Sequence, residues 1–76
     1  YSAVTLYPNP ATTQVTLEGL ENAVRVEVLD LQGRVREAQR VDGHRMAIDL
    51  SGYAQGTYFV RITGAEGTAV RKLVVR

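Results

Sequence analysis

An all-β fold, an antiparallel sandwich of about seven short strands, is what this sequence predicts. Three observations carry that expectation. Apolar and polar residues alternate with period two in several stretches, and no helical period is sustained. Turn-forming clusters of Gly, Asp, Asn, Ser and Pro recur about every 8–12 residues. The 76 residues, 45% apolar and 22% charged, suit one globular domain rather than a disordered tail.

The first strand is expected over residues 3–7, with Val4 and Leu6 on one face. Pro8-Asn9-Pro10 stops it, because two prolines fix two φ angles and remove two N–H donors. The second strand runs over 13–18, Val15 and Leu17 inward, Thr16 and Glu18 outward, and Gly19-Leu20-Glu21-Asn22 turns the chain. The third, 24–30, alternates most cleanly, so Val24, Val26 and Val28 are expected inside and Arg25 and Glu27 in water. Asp30-Leu31-Gln32-Gly33 reads as a type I turn, with Asp opening and Gly closing it. The fourth strand, 34–40, is polar enough to be a sheet edge, with only Val35 and Ala38 clearly apolar. Val41-Asp42-Gly43-His44 contains the Asp-Gly pair that type I′ hairpins favour. The fifth strand, 45–50, puts Met46, Ile48 and Leu50 on one face.

The connection Ser51 to Gly56 is long for a hairpin and predicts a crossover between sheets. The sixth strand, 57–63, sets Tyr58, Val60 and Ile62 against Phe59 and Arg61, and Gly64-Ala65-Glu66-Gly67 turns into the last. The seventh, 68–76, has no clean phase: Val70 and Val74 share one face, Leu73 and Val75 the other. A bulge would reconcile this, or cover on both sides.

Composition removes several function classes. Without cysteine there is no disulfide and no Cys-based zinc site. A net charge of +1 lacks the basic excess of a nucleic-acid footprint, and no apolar run approaches the ~20 residues of a membrane span. Tyr1-Ser2-Ala3-Val4 is strand-like, so no signal peptide is expected to open the chain. Its size and abrupt ends suggest a single domain, residues 1–76, cut from a longer protein.

The search for chemistry finds little. His44, Asp49 and Ser51 resemble a triad only in residue type, and a hairpin neighbour with an outward strand residue is the ordinary reading. One His without partners makes no typical zinc site. Asp30 and Asp42 lie in different turns, without calcium-loop spacing. Gly52 and Gly56 have small-xxx-small spacing but no surrounding apolar helix. Tyr1, Tyr7, Tyr53, Tyr58 and Phe59 fall on different elements, which favours core and end-plug roles over a carbohydrate platform. No enzyme activity, cofactor, metal, nucleic acid or small-molecule substrate is expected. Arg71, Lys72 and Arg76 cluster on the last strand with no acid after Glu66. They read equally as edge-strand gatekeepers or as a docking strip for an acidic partner.

Four segments in order resemble a known family. They are Tyr7-Pro8-Asn9-Pro10-Ala11-Thr12; Val24 through Asp30-Leu31-Gln32-Gly33-Arg34-Val35; Ile48 through Ile62; and Lys72-Leu73-Val74-Val75. Together they resemble the type A C-terminal sorting domain of the type IX (Por) secretion system of Bacteroidetes cargo proteins, with Tyr53 where the family commonly has Leu. The resemblance implies an Ig-like sandwich and a role as a secretion signal. The attached cargo would cross the periplasm, be read by the outer-membrane translocon and shuttle proteins, and reach the cell surface or the medium. A surface sortase would usually cleave before or near Tyr1. By position, Pro8, Asn9, Pro10, Asp30, Gly33 and Arg34 would set shape. Gly56, Tyr58 and Lys72, Leu73, Val74, Val75 and Arg76 would lie nearest the recognition signal. Weak self-association is a further expected contact. The competing function class is an Ig-like accessory or adhesion module binding carbohydrate or a neighbouring domain.

Overall fold

A computed structural model describes residues 4–76. Within them the chain forms strands β1 (Thr5–Tyr7), β2 (Gln14–Glu18), β3 (Ala23–Leu29), β4 (Val35–Arg40), β5 (Arg45–Asp49), β6 (Gly56–Gly64) and β7 (Gly67–Val75). All pair antiparallel, in a three-stranded sheet ordered β1-β2-β5 and a four-stranded sheet ordered β4-β3-β6-β7. The expected start of the first strand at Ala3, the aromatic Tyr1 and the bond expected to be cleaved lie outside the described residues.

The inner faces supply the core. Val15 and Leu17 of β2, Ile48 of β5, and Val60 and Ile62 of β6 are all buried, as their alternation predicts. Each such side chain removed from water contributes about 1.5–3 kcal/mol. Val4, Ala11, Leu20 and Leu50 plug the ends from outside the strands. Leu20 is the surprise among them, a fully buried residue in what reads as a polar turn.

Three expectations are corrected. Val24 is 55% exposed, because β3 and β6 slip register between Ala23 and Arg25 and leave Val24 as the extra residue. Glu27, expected in water, is buried, since it lies under the guanidinium groups of Arg61 and Arg25 at 2.8 and 3.5 Å. Asp42-Gly43 does not close a hairpin. Its flanking strands belong to different sheets, held apart by bonds from the Val41 amide to the Val24 carbonyl and from the Leu20 amide to the His44 carbonyl. The crossover after β5 forms as expected, as does the edge position of β4. On β4, however, Val35 and Ala38 face out, while Glu37 and Gln39 stand opposite inward Val28 and Val26.

β7 needs no bulge. It pairs with β6 without interruption from Gly64↔Gly67 to Gly56↔Val75. Its mixed phase is apolar cover on two faces: Leu73 and Val75 are in the core, while Val70 and Val74 lie on the outside of the sheet.

The β3–β4 turn depends on Gly33, whose φ is +83° with open space where a Cβ would stand. Gly33→Val should therefore cost about 1–2 kcal/mol through backbone strain alone, seen as a melting temperature lowered by several degrees. Gly52→Ala, at a position with neither positive φ nor close neighbours, should leave the melt unchanged or slightly raised.

Candidate functional site

The residues expected to carry recognition gather on and beside β7, an edge strand of the four-stranded sheet. Along such an edge, every second residue points its N–H and C=O away from the sheet. Here those are the even-numbered residues, and the last of them are already satisfied. Asn9 Nδ2 donates to the Lys72 carbonyl at 2.8 Å, and the Val74 amide donates to Asn9 Oδ1 at 3.0 Å. The Ala11 amide donates to the Val74 carbonyl, and the Arg76 amide to the Ala11 carbonyl, both at 2.8 Å. The side-chain amide of Asn9 thus acts as a substitute peptide group. It supplies the donor that the flanking Pro8 and Pro10 lack. Ala11 completes a parallel bridge to Val75 and is fully buried.

This clasp divides the expected recognition residues. Leu73 and Val75 are core side chains, 0% and 4% exposed. Lys72 and Arg76 are exposed and Val74 is half-buried. Tyr58 is buried, donates its hydroxyl to the Ala54 carbonyl at 2.8 Å, and meets Tyr53 edge to face with ring centres 5.2 Å apart. Tyr53 in turn donates to Glu37 Oε1 at 2.7 Å; burial first, and then this carboxylate, raise its phenol pKa. Gly56 is exposed at the corner where β6 begins, opposite Val75.

Asp30, Gly33 and Arg34 meet in one turn. The Gly33 amide donates to the Asp30 carbonyl at 3.0 Å, and the Asp30 amide to the Arg34 carbonyl at 3.0 Å. Asp30 Oδ1 accepts the amides of Gln32 and Arg34 at 3.0 and 2.9 Å, and Oδ2 accepts Arg34 Nε at 2.9 Å. Burial pushes this carboxyl up, but the Arg34 amide and guanidinium and the Gln32 amide outweigh it, so its pKa falls below the ordinary carboxylate range. Glu27 is lowered as well, first by its hydrogen bond from Arg61.

His44, Asp49 and Ser51 do not converge. Asp49 Oδ1 accepts the Ser51 amide at 2.9 Å, while His44 precedes the opposite end of β5, about 15 Å away at strand rise. Among the described residues, no three His, Asp or Glu side chains gather where a metal ion could bind. Nor do the described aromatics form a platform. Tyr7 is exposed and hydrogen-bonded to Glu18 on the three-stranded sheet, Phe59 lies outside the other sheet, and Tyr58 is interior.

A family model described as "Secretion system C-terminal sorting domain" matches residues 5–76. The chain belongs to this family of type IX secretion sorting domains. Such a domain marks protein for export to the cell surface or for secretion. No curated protein matches the chain. Among solved structures, the sorting domain is similar to part of PorZ, an essential surface component of the type IX secretion system of Porphyromonas gingivalis. The identity is 22% and the TM-score 0.87, over 99% of this chain and 12% of that one. It also resembles a DUF3244 family protein of Bacteroides vulgatus with an immunoglobulin-like β-sandwich fold, at 15% identity and TM-score 0.68, over 91% of this chain and 82% of that one. At these identities the two likenesses show the fold, an Ig-like sandwich.

Sequence reasoning missed Ala11 and Leu20 as core residues and Asn9 as the clasp, since nothing local distinguishes them from ordinary loop residues. Asn9→Ala removes two hydrogen bonds and should cost the sorting domain about 1–3 kcal/mol. That is a melting temperature lower by roughly 5–15 °C, with faster hydrogen exchange at the Val74 amide.

The carboxylates add a pH dependence. A lowered carboxyl contributes stability that is complete above its ordinary value, near ~3.9 for Asp, and is lost as pH falls through the folded-state value. The melting temperature should hold from pH 7 to about 5 and drop below about pH 4. Asp30→Asn should start lower at pH 7 and drop less, as differential scanning calorimetry across that range would show.

Proposed function

We propose that this domain is a non-catalytic export label, a single unit of residues 1–76 attached to a longer cargo. The cargo enters the periplasm, and the type IX translocon and its shuttle proteins read the folded domain and pass it across the outer membrane. A surface sortase then cleaves upstream of the domain and anchors the cargo. The family match over residues 5–76 carries this reading. The geometry supports it with a surface rich in cations and apolar residues around β7. In this reading Lys72, Val74 and Arg76, with the Gly56 corner, face the machinery, while Tyr58, Leu73 and Val75 hold them in place.

The test fuses residues 1–76 behind a periplasmic reporter in a host with the type IX system and in one lacking its translocon. The reporter should appear outside the first and stay in the periplasm of the second. Periplasmic retention in both overturns the proposal. Deleting Leu73 to Arg76 should abolish export together with the cooperative thermal transition, because it removes two core side chains and most of the clasp.

A further inference from the structure

The two outer faces of the sandwich differ in a way that folding does not require. On the three-stranded sheet the outward residues of β2 and β5 are polar or small: Gln14, Thr16 and Glu18 face Asp49, Ala47 and Arg45; Tyr7 of β1, opposite Thr16, is an exposed aromatic on this face, with its hydroxyl bonded to Glu18. On the four-stranded sheet, Val35, Leu29, Phe59 and Lys72 align in one row across β4, β3, β6 and β7. Val70 and Val74 flank Lys72 two residues to either side, at diagonal positions to Phe59 and within reach of its ring. Val35 and Val70 are 48% and 52% exposed. The result is a contiguous apolar patch centred on Phe59, on a face that water would otherwise cover.

The charges it exposes have one sign. Arg25, Arg40, Arg61 and Lys72 lie on this face. Its one carboxylate, Glu27, is buried beneath Arg61 and Arg25. Among the described residues, no carboxylate reaches Arg40 or Lys72. Arg25 and Arg40 even stand directly opposite each other across β3 and β4, a placement that costs stability in an isolated sheet.

We propose that this face, centred on Phe59, docks an acidic protein surface of the export machinery that carries an apolar contact to cover Phe59. The proposal rests on the sorting reading and names the surface that reading leaves open. Charge complementarity selects the occupant. A second copy meeting through the same face would oppose cation to cation. An anionic membrane would favour a projecting centre, whereas Phe59, Leu29 and Val74 are half-buried in the sheet surface and only the flanking Val35 and Val70 stand out; a closely fitting protein surface suits that shape better.

The reporter fusion tests this with Arg40→Glu/Lys72→Glu, which alters exposed side chains only, and with Phe59→Asp. Ala47→Glu on the opposite face, where the residue across the strand is the uncharged Thr16, is the control. The double variant should melt within about 2 °C of the unaltered domain yet export at least about tenfold more slowly, and the control should export normally. A photo-crosslinker at position 59 should join the domain to a type IX outer-membrane protein. Undiminished export of Arg40→Glu/Lys72→Glu alongside normal export of the unaltered fusion overturns this inference alone. Retention of the unaltered fusion overturns the sorting reading with it. Crosslinking at position 59 to a second copy or to lipid, or binding of the purified domain to vesicles containing phosphatidylglycerol, also overturns it.

Discussion

The clasp between residues 9–11 and the end of β7 is the constraint on which the rest of the domain depends. An edge strand leaves a row of backbone groups without partners. In this sandwich the end of that row is closed by an asparagine side chain and one alanine peptide. The closure keeps Leu73 and Val75 in the core, and the same strand then presents Lys72 and Val74 outward. Two prolines, which would end an ordinary strand, are compatible with this because Asn9 supplies from its side chain what they cannot supply from the backbone.

Much of the architecture was legible in the sequence, and what was not has identifiable causes. β2, β5 and β6 alternate with one buried face, and their inward residues are those the alternation names. Val24 breaks the pattern because a register slip is set by the neighbouring strand, not by local periodicity. Asp42-Gly43 has a real hairpin propensity, but burial of Leu20 and Leu50 and pairing of β5 with β2 override it. The polarity of β4 marks an edge correctly, yet its phase is inverted: polar Glu37 and Gln39 turn inward at the rim, where Glu37 accepts the Tyr53 hydroxyl. Of the candidate site, the clustered cations and the mixed apolar phase of the last strand were visible. The clasp was not, because it joins residues more than sixty positions apart.

Electrostatics organises the four-stranded sheet more than its modest net charge suggests. Glu27 sits at the centre of the outer face with Arg61 and Arg25 around it, and Asp30 anchors the next turn through two amides and a guanidinium. Both carboxylates are held ionised by these neighbours. Neither is available to an outside cation, which leaves the positive side chains as the charges this face displays.

The position of β7 also bears on when the domain can exist at all. Its core side chains and its clasp involve residues 72 to 76, and the strand's partners lie at 56–64 and at 9–11. Contacts so distant in sequence form late, because chain ends must first be brought together. A polypeptide whose synthesis halts before Leu73 has neither the buried side chains nor the edge partner, and it stays open. Adopting this fold is therefore conditional on β7: without residues 73–76 neither the core nor the clasp is complete.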